Sequence, residues 1–82
     1  MEKYLSIEKA KYLDDYKIFL QFNDKKEVVV DFEKFITKSQ HPDIRKYINL
    51  EHFRRFRLSY GEIEWNDYDL VFPINDLYHQ NI

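Results

Sequence analysis

Three histidines, at positions 41, 52 and 79, are the side chains of this chain best suited to metal ligation or proton transfer. No two of them have the i, i+3 or i, i+4 spacing that would set a ligand pair on one helical face, so no zinc signature exists and no metal is assigned. Phosphate cradles need several glycines so that backbone N–H groups can approach the anion, and Gly61 is the only glycine. The serines at 6, 39 and 59 lie outside any nucleophile elbow, and there is no cysteine to activate. Two carboxylate pairs remain, Asp14-Asp15 and Asp67 with Asp69. Both sit in turn-like stretches where solvated Asp is the default. The chain is therefore not expected to be an enzyme, and no catalytic residue and no cofactor is assigned.

The one cationic concentration is Arg45-Lys46 followed by His52, Arg54, Arg55 and Arg57, interleaved with Phe53 and Phe56. Basic charge mixed with aromatic rings is a combination used by nucleic-acid binders. The rest of the chain argues the other way. Lys and Arg number 13 against 15 Asp and Glu, a formal charge of −2, which gives no general attraction to nucleic acid or to an anionic membrane. A solvated or partner-facing patch is the better reading. Nucleic-acid binding through Arg54, Arg55 and Arg57 stands as the alternative. Arg55 and Arg57 can equally pair with carboxylates across a sheet.

At 82 residues the chain holds one domain, residues 1–82, and a chain of this size buries only about 60 to 65% of its unfolded surface. Seven Phe, seven Tyr and one Trp make 18% of the residues aromatic, and such bulky side chains build a core from short elements. The longest apolar run, Val28 to Val30, is far below the ~18 residues of a membrane span, and Met1-Glu2-Lys3-Tyr4 lacks the apolar stretch of a signal peptide. With no cysteine, a reducing compartment is the easier home, and a cytoplasmic location is expected.

The elements that must position these residues are short. Tyr4 to Tyr12 separates loosely into two faces, as in a half-exposed strand, until Asp14-Asp15 breaks it. Tyr16 to Phe22 alternates with Ile18, Leu20 and Phe22 on one face. After the turn Asn23-Asp24-Lys25-Lys26, the run Val28-Val29-Val30 resumes to Phe32, which predicts an antiparallel hairpin. Asp31 can cap a short helix at residues 33–37, and Pro42 opens a second with Ile44, Tyr47 and Ile48 inward. Asn49 is expected to end it, with one more helical turn from Leu50 to Phe53. Arg54 to Tyr60 reads as a strand with Arg54, Phe56, Leu58 and Tyr60 on one side. Gly61 supplies the turn that returns it through Ile63 and Trp65. Tyr68 to Phe72 extends the sheet, and Pro73 opens a last turn with Ile74, Leu77 and Tyr78 inward. The class is α+β: a small, mainly antiparallel sheet of two hairpins, with short helices in the middle and at the C-terminus.

The segment Trp65-Asn66-Asp67-Tyr68-Asp69-Leu70, then Pro73 and Leu77-Tyr78, resembles the small bacterial family catalogued as domain of unknown function 2442. The likeness extends through Tyr16 to Phe22, Val28 to Asp31, residues 33 to 48 and Phe53. Two turns depart from it: Asn23-Asp24-Lys25-Lys26 stands where the family has Asp-Gly, and Asp67 where Gly is common. Such proteins are often encoded beside another small protein in arrangements that look like toxin–antitoxin pairs. The resemblance thus implies a protein partner and an antitoxin-like, regulatory role. For Trp65, Asp69, Pro73 and Tyr78 two readings stand. They can lock the C-terminal helix onto the sheet, with Asp69 capping a turn or holding a backbone N–H and Trp65 packed on Tyr78. Alternatively Trp65 and Tyr78 line a partner groove, since aromatic and Arg residues dominate interface hot spots. The candidate partner-binding set is Trp65, Asp69, Tyr78, Arg55 and Arg57. Exposed edge strands also make a homodimer through strand pairing an expectation.

Overall fold

The computed structural model of the protein describes residues 4–66, 69–80 and 82. Strand β1 (Ile7–Asp14) passes through the turn at Asp15 into β2 (Lys17–Phe22), which passes through the 23–26 turn into β3 (Glu27–Asp31). All pairings are antiparallel, with Lys17 opposite Asp31 and Leu20 opposite Val28 in the β2–β3 hairpin, as the alternation predicts. Asp15 takes a φ of 45°, which a short Asp side chain tolerates, and this makes the tight return after Asp14. The first strand is thus shifted from its expected 4–12 span to Ile7–Asp14.

The middle of the chain is a chain of single helical turns. Asp31 Oδ1 accepts the Glu33 N–H at 3.0 Å, the expected capping bond, at the entrance to α1 (Glu33–Lys38). Pro42 begins α2 (Pro42–Arg45), which tightens into a 3-10 turn at Lys46–Ile48. Asn49 then does more than end that turn. Its side chain accepts the Glu51 N–H at 2.9 Å and so starts α3 (Leu50–Phe53).

The remaining strands, β4 (Arg57–Ser59), β5 (Glu62–Trp65) and β6 (Leu70–Val71), make a second antiparallel sheet. The two hairpins therefore do not share one sheet. Strand β4 is also shorter than expected, because Arg54 stays helical as the cap of α3 and Tyr60 already belongs to the turn. The Ile7 N–H donates to the Gly61 carbonyl at 2.8 Å and ties the first sheet to that turn. Helix α4 (Ile74–Tyr78) follows Pro73 and buries Leu77. Among the described residues no helix is long and apolar enough to cross a membrane.

One core joins both sheets. Ile18, Leu20, Phe22 and Val30 fill it from the first sheet, Ile63, Trp65 and Leu70 from the second, with Phe32, Phe53, Phe72 and Leu77 between. Trp65 is its hub: rings of Phe32, Tyr47, Phe53, Phe56 and Phe72 surround it at centroid distances of 5.7 to 6.2 Å. Its indole N–H donates to the Phe53 carbonyl at 2.7 Å, satisfying the one polar atom that burial would otherwise orphan.

Candidate functional site

A concavity of about 460 Å³ opens where the helical middle meets the second sheet. The 3-10 turn supplies Lys46 and Tyr47, α3 supplies His52, and Arg55 and Arg57 follow it into β4. Trp65 and Asn66 close the wall from the end of β5. Four members of the cationic run are thus gathered on one surface. The other two are engaged elsewhere: Arg54 lies 5.0 Å from the centre of the Tyr12 ring, and Arg45 donates to the carbonyls of Thr37 and Ser39.

The cations at the site differ in how far they are committed. Arg57 points Nε and Nη2 at Glu64 Oε2, at 3.2 and 3.1 Å, from the opposed position on β5. Glu64 is fully buried, so this is the cross-strand carboxylate pairing considered for the arginines. Lys46 Nζ sits 2.6 Å from Asp69 Oδ2. That bond raises the lysine's pKa and holds the Asp69 carboxyl below the ordinary carboxylate range. Arg55 and His52 are exposed, and among the described residues their side chains make no hydrogen bond or ion pair. Tyr47 is buried, and burial pushes its phenol up. The Asp69 carboxylate, acting on its hydroxyl through charge and hydrogen bonding, pushes in the same direction.

The candidate partner residues separate in space. Arg55, Arg57 and Trp65 line the concavity and Asp69 stands at its Lys46 edge, whereas Tyr78 is not part of it. The expected Trp65–Tyr78 packing is replaced by separate partners. Trp65 is spoken for by the ring cluster of the core, and Tyr78 packs on Phe22 at 5.0 Å and donates its hydroxyl to Asp24, with Lys26 over its ring. Asp69 holds Lys46, and among the described residues its side chain accepts no backbone N–H. Asp67, the other half of one carboxylate pair, lies outside the described residues, as does Tyr68. Asp14, the last residue of β1, and Asp15 in the turn after it are both exposed. Among the described residues no three His, Asp or Glu side chains gather as metal ligands.

Sequence reasoning missed Tyr47 and Asn66 as wall residues and Glu64 as a buried acid. Glu64 had a signal. A two-residue turn at Tyr60-Gly61 places 59 opposite 62 and therefore 57 opposite 64. Tyr47 was legible only as one position of the Ile44, Tyr47, Ile48 apolar stripe, which says that the ring is inward and nothing of its hydroxyl.

A family model described as "Protein of unknown function (DUF2442)" matches residues 7–82. No curated protein and no solved structure matches the chain. The chain belongs to that family.

Proposed function

We propose that this member of the family is a protein-interaction module whose concavity docks an acidic segment of a partner protein. One observation carries the reading: Arg55 and His52, without side-chain partners among the described residues, stand beside Lys46 and Arg57 in a single concave surface. A carboxylate entering there meets a guanidinium able to donate in parallel to both its oxygens, a geometry that adds strength and direction. Paired cations nearby reinforce the field at little extra desolvation cost.

The size and charge of the site favour a few carboxylates over a nucleic-acid strand. Lys46, Arg55 and Arg57 are offset by Asp69 and Glu64, so the local excess of positive charge is small. Strand binding rests on many phosphate contacts along a track and on exposed rings for bases. Here Arg45 and Arg54 face elsewhere, and Trp65 and Phe53 are buried. The reading is of binding without turnover, with the antitoxin-like half of a two-protein system as its specific form.

The test is a tagged pull-down from the native organism, run in parallel with wild-type protein and Arg55→Ala, at low and moderate salt. A small acidic protein held near stoichiometry by wild type and lost by the variant supports the module. Equal recovery with both proteins, or no partner at all, overturns it. Salt-sensitive nucleic acid in the eluate moves the assignment to the Arg54, Arg55 and Arg57 alternative.

A further inference from the structure

Among the described residues strand β3 pairs with β2 alone and leaves its other edge outward. In the register set by Ile18 opposite Val30 and Leu20 opposite Val28, the N–H and C=O groups of Val28 and Val30 are spent on β2. Those of Glu27, Val29 and Asp31 point away from the sheet. The Val29 carbonyl is taken by the side-chain amide of Gln80, Nε2 to O at 2.7 Å. Gln80 follows α4 with a φ of 56°, at a position where glycine or asparagine is usual. Glu27 and Asp31 are exposed on either side of Val29, itself 43% exposed, so the outer face of this edge reads acid, apolar, acid. Asp31 caps α1 and stands opposite Lys17, whereas among the described residues the Glu27 side chain makes no hydrogen bond or ion pair. Beside the edge lies a cavity of about 300 Å³, lined by Val29, Val30, Asp31, Lys34, Gln80 and Ile82.

We propose that this edge takes an extended segment of a partner protein as a fourth, antiparallel strand, one that alternates basic with apolar residues. The surface shares no residue with the concavity at Lys46 and Arg55, and the inference does not rest on that reading. The residue that pairs with Val29 accepts its N–H and donates one to its carbonyl, displacing Gln80, and residues at alternate positions repeat this at Glu27 and Asp31. Their side chains fall on the same face as Glu27 and Asp31, which makes lysine or arginine the complementary choice. The intervening side chains turn toward Val30 and Ile82 in the cavity, where Lys34 disfavours a second cation and an apolar group is suited. A second copy of this chain is the wrong occupant, because its own β3 brings the same acids. Gln80 covers the open carbonyl until such a strand arrives. It holds one bond where the strand makes several.

The probe is a short end-capped peptide alternating lysine with valine, labelled with fluorescein and read by anisotropy, with an alternating glutamate–valine peptide as control. Wild type should bind the lysine peptide, and Glu27→Lys should bind it about fivefold more weakly, one attractive cross-strand pair becoming repulsive. Gln80→Gly suits the backbone and removes the competing amide, so it should bind between about twofold and tenfold more tightly, the range of one net hydrogen bond. No binding by wild type, or equal affinity in Glu27→Lys, overturns the site. Unchanged or weakened affinity in Gln80→Gly overturns the displacement of Gln80. Amide exchange gives a readout that needs no variant. On saturation of wild type with the lysine peptide the Val29 N–H, outward in the free protein, should exchange slower by about tenfold or more, and unchanged exchange overturns the proposal. The glutamate peptide should leave that exchange unaltered even where the concavity holds it, and protection of Val29 by it overturns the basic character assigned to the partner. A dimer of free wild type that Val29→Lys disperses gives the edge to a second copy and overturns the proposal.

Discussion

Arg57 and Glu64 face each other across the second hairpin with opposite exposures: the arginine side chain is 64% exposed and the glutamate 0%. Removing the arginine leaves an acid in the core with fewer donors, the costly side of a half-buried pair. Solvent reaching the exposed partner discounts the loss, so Arg57→Ala should destabilise by about 1–2 kcal/mol in urea unfolding, and Arg55→Ala by less than about 0.5 kcal/mol. That difference makes Arg55 the cleaner probe of binding. The Arg57 pairing was legible because Gly61 sets the register. The Lys46–Asp69 pair was not, since it joins two turns far apart in sequence, and turn geometry rather than periodicity brings them together. Acid pH tests that pair and one other. Lys46 depresses the Asp69 carboxyl, and the Tyr78 hydroxyl with the Lys26 N–H depresses that of Asp24. Groups of lowered folded-state pKa stabilise above their ordinary value of 3.8, and the stabilisation is lost as pH falls through the lower folded value. The urea midpoint should therefore drop as pH falls below about 4, and less steeply in the Asp24→Asn/Asp69→Asn double variant. Lys46 and Tyr78 are raised by the same bonds, so their contribution holds below pH 10 and fades as pH climbs through their folded values.

The turns decide how the short elements are placed, and they break sequence rules in ways that can be measured. Tyr60 and Gly61 have φ of 53° and 79°, both central residues of a hairpin turn in the left-handed region, where Asn-Gly is the favoured pair. A Cβ at Gly61 would stand 2.6 Å from the Cβ of Ser6, on the chain just before the Ile7–Gly61 bond that joins the sheets. Gly61→Ala should cost about 2 kcal/mol or more, from the left-handed penalty plus the forced shift of Ser6. Tyr60 is 96% exposed, so Tyr60→Asn loses little packing and should raise the urea midpoint. Lys25, at φ 76°, takes the same conformation in the 23–26 turn, and Lys25→Gly should stabilise as well. The alternation of β2 and β3 was readable because each has one fully buried face, Ile18, Leu20 and Phe22 against Val28 and Val30. The apolar side expected for Arg54 to Tyr60 misled, since β4 lies at the edge of its sheet and leaves Leu58 38% exposed.

At the scale of the molecule, an envelope of 41 × 22 × 20 Å leaves a thin core, and its cohesion passes through Trp65. Deleting so large a buried side chain typically costs about 3–5 kcal/mol, against a total stability of about 5–15 kcal/mol. Trp65→Ala should accordingly lose most cooperative unfolding, which fits a locking role better than a surface anchor. The long shape also leaves sheet edges open, and β3 is the one whose exposure can be argued. The bonds Phe22 N–H to Lys26 O and Phe32 N–H to Tyr16 O bracket β3, so Val28 and Val30 bond to β2 while Glu27, Val29 and Asp31 turn their backbone groups outward. Two features oppose pairing between copies at this edge. Gln80 Nε2 occupies the Val29 carbonyl at 2.7 Å, and in the antiparallel register of fullest overlap Glu27 would stand opposite Asp31 twice. Sedimentation should find wild type free of β3-mediated dimer at micromolar concentration. The variant Glu27→Val/Gln80→Ala, with both obstacles weakened, should associate with rising concentration, and Val29→Lys added to it should restore the wild-type behaviour. Association of wild type that survives Val29→Lys would place the contact on another surface, and strand pairing at β3 would then be irrelevant to how this chain assembles.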